Sequence, residues 1–406
     1  MTILFKLAWR NLWRNRRRSL IILVAIVVGV VSLLFIEGLV NGQLKQLLEN
    51  QIGTHIGHLQ IHAKGFQDDR TIQHLIPDKK RVESALRSLP EVVAYSPRII
   101  SFGLVSSASA SSGVTMLGVD PLLESRVSMI AHSMTSGEYL AGEPRSIVIG
   151  ERMAEKLGVE VGDKIVLMAS ALDGHVGSDA FRVTGLFKTP DSEFDRSYVQ
   201  VGMESAQSML GVSDSVSEFA VVLQSADMAA AVKSSVGSAL GESYEVFTYG
   251  ELIPMMIMMI EVTRESMGIY YVIIGLATIF GIINVLLMAV FERIREFGVV
   301  MAMGMRSAQV FRLILLEAFL LGVLGAAAGV LVGLLVFWPV SIQGLDLGAS
   351  AEAMSSIGMG SIIYPFLTWA DILKNILFVP VVSLLAAVYP AWKATRLEPV
   401  RAIRYV

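Results

Sequence analysis

The fold class this sequence predicts is a membrane α-helical protein with four transmembrane helices, plus an extracytoplasmic α+β domain of two subdomains on a helical stalk. Three observations carry that expectation. Four long apolar runs divide the 406 residues unevenly, at 19–36, 266–291, 313–340 and 375–392. Each meets or nearly meets the roughly 20 apolar residues a helix needs to cross the hydrocarbon. Between the first and second runs lies a mixed-composition block of about 220 residues, large enough to bury its own core. Lysine and arginine are distributed one-sidedly around the runs, which sets the orientation.

In chain order, residues 1–18 read as a cytoplasmic amphipathic helix. Phe5, Trp9, Leu12 and Trp13 recur at helical spacing, and Lys6, Arg10, Arg14, Arg16, Arg17 and Arg18 surround them without any acid. Such a helix lies in the membrane interface. Residues 19–41 form the first transmembrane helix, charge-free until Glu37. A basic segment followed by an apolar one resembles a signal peptide, but this run is too long and no small-x-small cleavage site closes it. It is read as a retained anchor.

The extracytoplasmic domain spans 42–265, with stalk ends where the helical pattern continues: Leu44, Leu47, Leu48 and Ile52 on one side, 252–265 on the other. Strands are expected at 57–63, 92–106, 113–118, 181–187, 196–201 and 218–223, with a further strand after the GVEVGD turn. Helices are expected at 151–157 and 228–240, and a break between subdomains near 120–137. This block holds 18 basic and 28 acidic residues, a net charge of −10, which argues against nucleic acid or anionic headgroups as its main partner. The chain has no cysteine, so disulfides do not staple the domain.

The second transmembrane helix is expected at 266–291 and the third at 310–340. A short extracytoplasmic loop (341–371), the fourth transmembrane helix (372–392) and a cytoplasmic tail (393–406) follow. Arg293, Arg295, Arg306 and Arg312 lie between the second and third runs; Lys393, Arg396, Arg401 and Arg404 follow the fourth. The third-to-fourth loop has only acids before Lys374. Both termini are therefore expected in the cytoplasm and the large domain outside.

Several residues suggest roles by their chemistry. Gly325, Gly329 and Gly333 stand at four-residue spacing in the third run, a pattern that lets helix backbones approach closely. Asn284 and Glu317 are costly in lipid and are expected to face protein, Glu317 pairing with Arg312 or with an arginine of the 292–306 loop. The run MMIMMIEVT places Met255, Met258 and Met259 on one helical face with Met256 turned aside. That soft apolar surface must be covered, by a second protomer or by a lipid-like substrate. His55, His58 and His62 read as solvated strand histidines rather than metal ligands. No metal site and no catalytic set is found, and no Gly-Lys pair provides a phosphate loop.

The loop ERIREFGVVMAMGMR (292–306) is the most specific signal. It reads as a short amphipathic helix ended by Gly304, with Phe297, Val300, Met301 and Met303 on its apolar side. Here the sequence resembles the four-span permeases of the MacB, FtsX and LolC/LolE type. The family pattern ER-x-REIG-x-x-x-A-x-G aligns with Glu292, Arg293, Arg295, Glu296, Gly298, Ala302 and Gly304. WRNLWRNRRRS, IVIGERMAEKLGVEVGDKI, LLEAFLLGVLGAAAGVLVG and the tail YPAWKATRLEPVRAIRY agree, so the resemblance covers the whole chain. Met301 and Ile403 depart from the pattern. GHLQIHAKGF and the one-plus-three layout of the spans lean toward the lipoprotein-releasing branch.

The resemblance implies a bacterial inner-membrane permease, not an enzyme by itself. Residues 292–306 would be the coupling helix seated in a groove of an ABC ATPase. Two copies of that separate chain would bind ATP and Mg, and this chain would carry no cofactor. A second permease, identical or homologous, would complete the unit. Membrane lipids and a periplasmic protein would be further partners, with no nucleic acid. Function would be ATP-driven extraction or expulsion of a lipid-like or lipoprotein substrate. The alternatives are FtsX-like activation of a periplasmic cell-wall hydrolase and MacB-like efflux of peptides or small molecules.

Overall fold

The computed structural model describes residues 2–14, 16–140, 142–348, 354–356 and 358–396. The chain divides into two compact units. One comprises residues 1–44, 259–345 and 363–406; the other comprises 45–258 and 346–362. The tail motif at 389–405 passes outside the described residues after Arg396.

In the first unit, four helices among the described residues are long and apolar enough to span a membrane. They are Arg16–Gln51, Pro254–Glu292, Ser307–Gln343 and Trp369–Thr395. The first two run well beyond their apolar stretches, so each continues as a helix out of the hydrocarbon, as a stalk requires. A separate helix, Thr2–Arg14, precedes the first span. Its Ala8 and Leu12 are buried in the core shared by the spans, whereas Phe5, Trp9 and Trp13 face outward. The outward aromatics suit a membrane interface, where amphipathic rings settle at headgroup level.

Helix packing in this unit follows from glycine. A Cβ added at Gly325 would lie 2.5 Å from Ile26, one at Gly329 would lie 2.7 Å from Val30, and one at Gly333 would lie 2.8 Å from Leu34. The three glycines thus form a groove that takes one ridge of the first span, itself spaced by four residues. Gly322 instead accepts Pro380 and Ser383 of the fourth span. Asn284 does not meet the expectation of facing protein within this one chain. It is exposed on the single chain, on the same outward face of its helix as Phe280, Gly281 and Met288. One amide in an apolar run does not reveal the helix's rotation, and the protein-facing side here is that of Ile282, Leu286 and Ala289.

The second unit is built on a ten-stranded sheet. Its strands are β1 (Leu59–Ala63), β2 (Val92–Ser106), β3 (Ser111–Val119), β4 (Met134–Gly137), β5 (Ser146–Gly150), β6 (Lys164–Ser170), β7 (Val176–Phe187), β8 (Tyr198–Gly202), β9 (Glu218–Leu223) and β10 (Tyr244–Thr248). The fifteen-residue β2 organises them. Its C-terminal half pairs with β3 on one side and β6 on the other, and the ladder β2-β3-β8-β5-β7-β6 closes back on β2. Its N-terminal half pairs with β9, which continues to β1 and β10. The two expected subdomains therefore share one strand. The segment near 120–137, expected as their boundary, instead helps enclose a second apolar core of Leu117, Val119, Ile130, Leu140, Val148, Phe187 and Phe194.

Local chemistry sets the ends of the helices beside the sheet. Asp78 accepts the Arg81 amide to start Lys79–Arg87. Glu151–Leu157 ends at Gly158, whose φ of 63° is a conformation glycine adopts freely.

Filling the glycine groove should loosen the bundle. Gly325→Leu is expected to cost about 1–3 kcal/mol through overpacking against Ile26. Gly281→Leu, where a Cβ meets nothing within 4 Å, should leave single-chain stability unchanged. Thermal unfolding in detergent checks both; equal melting points for the two variants would contradict the groove.

Candidate coupling and substrate-contact sites

At the basic end of the spans, the helix Pro254–Glu292 stops, Arg293 turns the chain, and a new helix runs over Ile294–Ala302. It ends at Gly304, whose φ is 104°. Its pattern is amphipathic. Ile294, Phe297 and Gly298 are buried, and Phe297 packs with Val290, Val310, Ile314, Ala391 and Ala394 from three spans. Glu292, Arg295, Glu296, Val299, Ala302 and Met303 face outward.

The expected coupling residues thus separate into two groups. Glu292, Arg295, Ala302 and Gly304 are exposed, and Glu296 is half exposed; these five are free to meet a partner. Arg293 and Gly298 are buried and can act only from inside. Met303, expected on the packed face, is 76% exposed. It stands one residue beyond the helix, where the chain has begun to turn away.

The buried arginine has a defined role. Its Nη1 lies 3.3 Å from both oxygens of Glu317, and its Nε donates to Glu296 at 3.1 Å. The guanidinium also stacks over the Phe297 ring. Glu317 additionally accepts Asn11 Nδ2 at 2.6 Å, and Glu296 accepts Arg14 Nη2. Burial opposes the charge of Glu296, but hydrogen bonds from Arg14 and Arg293 prevail and hold its carboxyl below the usual range. Of the partners expected for Glu317, the loop arginine is the one engaged. Asn11 and Arg14 were not anticipated; a 2-to-14 helix read only as an anchor gives no hint of them.

Toward the acidic end of the spans lies a second unanticipated cluster. Glu37 accepts Tyr271 Oη at 2.7 Å, Lys374 Nζ at 2.8 Å and Asn375 Nδ2 at 3.0 Å. It ties the first, second and fourth spans through one buried carboxylate. The lone acid in the first apolar run was the available signal.

On the helix leaving the second span, Met255, Met258 and Met259 are 83%, 64% and 43% exposed. Met256 is turned aside and less exposed. The three share a face because neighbours lie about 100° apart on an α-helix.

The histidines of the outer unit correct another expectation. His62 is fully buried, stacked on Phe66 with ring centroids 4.5 Å apart, and its Nδ1 lies 3.3 Å from the Ser217 carbonyl. Solvent is excluded because β1 is an interior strand, between β10 and β9, with both faces covered. His58 accepts the Leu223 amide, and His55 stacks on Phe194. Beside them, Arg98 donates to Glu124 at 2.9 and 2.7 Å, to Glu218 at 2.9 Å and to the His55 carbonyl. All three charged groups are buried. Burial pushes the Glu218 carboxyl up. It opposes the charge of Glu124 too, but Arg98 holds that carboxyl below the usual range. His55, His62, Arg98 and Glu218 line a cavity of about 260 Å³. Among the described residues, no cluster of histidine, cysteine or carboxylate side chains is placed to hold a metal. The arrangement is an internal ion network in which Arg98 is paired on both sides, while His55 Nδ1 is buried without a hydrogen-bond partner.

Comparison with known proteins adds the following. Residues 19–239 match the MacB-like periplasmic core domain, and residues 268–399 match the FtsX-like permease C-terminal domain. The lipoprotein-releasing system transmembrane protein LolC of Xylella fastidiosa is 25% identical over 95% of this chain and 94% of its own length. LolE of Haemophilus influenzae is 23% identical over 98% of each chain. The macrolide export ATP-binding/permease protein MacB of Vibrio parahaemolyticus is 23% identical over 98% of this chain and 59% of its own length.

The buried histidines make outer-unit stability depend on pH. Burial holds both His55 and His62 down to about 3, so they stay neutral in the fold, while the unfolded chain takes up protons near 6.5. Stability is complete above 6.5 and falls as pH drops from there toward 3, by about 1.4 kcal/mol per pH unit for each histidine. Urea unfolding followed by circular dichroism at pH 7 and pH 5 should show the loss. His62→Gln should reduce the slope, with His55 and His58 supplying the remainder; an unaltered slope would exclude His62 as a source.

Proposed function

Because this chain belongs to the family of FtsX-like permeases with a MacB-like periplasmic core domain, and is thus an inner-membrane permease of an ABC transporter, we propose that it drives the removal of a lipid-like or lipoprotein substrate. The supporting observation is the exposed methionine face on the helix leaving the second span. A flexible, polarizable apolar surface suits acyl chains of variable shape. The relatives named for lipoprotein release, alike over nearly their full length, agree with this choice of substrate.

In this reading the outward face of Ile294–Ala302 docks on a separate ABC ATPase, which holds ATP and Mg. Val299, Ala302 and Met303 supply an apolar centre, with Glu292, Arg295 and Glu296 as a charged rim. That is the usual anatomy of an interface. A compact helix joined to two spans passes on rigid-body motion. Two permeases and two ATPases form the working unit. The outward stripe of Phe280, Gly281, Asn284 and Met288 is where a second permease would cover the amide. Both termini are cytoplasmic and the large unit is periplasmic, following the lysine and arginine bias.

Three measurements test these assignments. Cysteines placed singly at Ser107 and Ser307 should react with an impermeant reagent from opposite sides of the membrane; reaction of both from outside rules the orientation out. Arg295→Glu combined with Val299→Asp should lower ATPase co-purification about tenfold or more, as loss of an interface anchor does, while the permease still inserts. Undiminished association would refute the docking face. A photo-crosslinker at Met259 should capture lipoprotein or lipid. Capture of the second permease alone would show that the methionines pack the dimer, and capture of peptides or small molecules would favour efflux.

A further inference from the structure

We propose that Glu317 is a positioning residue that fixes the N-terminal amphipathic helix and the coupling helix into one moving body with the third span. The proposal rests on the docking assignment above for its function, but on geometry for its substance.

Three elements distant in sequence meet at this carboxylate. Asn11, on the N-terminal helix, bonds one oxygen; Arg293, at the turn into the coupling helix, reaches both; Glu317 itself sits on the third span. The Arg14–Glu296 ion pair closes the same seam a second time, at its exposed edge. The apolar side is closed too. Ala8 and Leu12 of the N-terminal helix lie in one core with Leu313 and Leu320, which flank Glu317 on the third span.

The electrostatics point the same way. Arg18, at the start of the first span, lies close enough for its charge to interact with Glu317 and Arg293, and its Nε and Nη1 are buried without a hydrogen-bond partner. Glu317 is thus the buried anion facing both the buried Arg293 and the partly buried Arg18, and removing its charge leaves Arg293 with less compensation. Such a node has one well-bonded arrangement. A push on the coupling helix must therefore move the N-terminal helix, and with it the first span, rather than slide past them. The N-terminal helix becomes part of the transmission rather than only a membrane anchor.

The chain contains no cysteine, so two introduced ones report without background. Spin labels are placed on Arg10→Cys, an exposed position of the N-terminal helix, and on Val300→Cys, a half-buried position of the coupling helix outside the docking residues. The permease–ATPase complex is measured in nanodiscs, nucleotide-free and trapped with ATP and vanadate. With Glu317 intact, the interlabel distance should stay the same in both states. A shift larger than the roughly 1–2 Å of an ordinary interface helix slip would overturn the single-body proposal. Glu317→Gln should broaden the distance distribution about twofold or more, since the seam then samples several arrangements, and Glu317→Asp should restore most of the narrow form. Equal widths for intact protein and Glu317→Gln would remove Glu317 as the node. Should Glu317→Gln fail to insert, Asn11→Ala breaks only the bond to the N-terminal helix and should broaden the distribution by itself; an unchanged width in that variant would overturn the proposal. Failure of the ATPase to co-purify with the intact chain would instead defeat the docking assignment, and the nucleotide-free comparison would still decide the node.

Discussion

A carboxylate taken out of water must find compensation within a few ångströms, and removing one partner of a buried pair costs about 3–5 kcal/mol. Two carboxylates place that constraint on the helical unit. Glu317 gathers Asn11 and Arg293; Glu37 gathers Tyr271, Lys374 and Asn375. Between them these bonds reach the N-terminal helix and all four described spans. Apolar packing alone would permit the helices many rotations of similar energy, because lipid tails are as apolar as leucine. The two ionic clusters select among those rotations, and the glycine groove then sets the depth of approach.

The same constraint orders the outer unit. Arg98 lies on β2, the strand shared by the closed ring and by the β9-β1-β10 extension, and its partners come from β9 and from the segment after β3. An unpaired guanidinium there would be intolerable, so the network holds the two parts of the sheet in register. The histidines beside it stay neutral for the same reason.

Much of this was legible in the sequence. Helix Glu151–Leu157, the run of the first span to Gln51 and the end of the coupling helix at Gly304 each follow from local signals: periodicity, a following glycine, unbroken helical spacing. The glycine groove was legible as a spacing, and its partner ridge at Ile26, Val30 and Leu34 has the same period. What stayed hidden depends on distant neighbours. The alternation at 57–63 describes a strand but not that both its faces are covered, so His62 looked solvated. The closure of β6 onto β2 joins residues some sixty positions apart and has no local mark. The side on which Asn284 lies depends on rotation of a helix that is apolar all round. Asn11 meets Glu317 across 306 positions.

The ring of six strands bears on a different hazard. An open sheet presents unpaired amides and carbonyls that can template pairing with another chain, and two copies held side by side raise that risk. Here the ring pairs most of its own edges, and among the described residues β4 and β10 stand at the two ends of the ladder. β4 has four residues, an irregular register against β7 and a terminal glycine at φ 73°. β10 has five residues and leads within one residue into the helix that starts at Tyr249. Neither offers a long flat template. Copies of this unit set side by side in an assembly therefore present little edge for strand exchange.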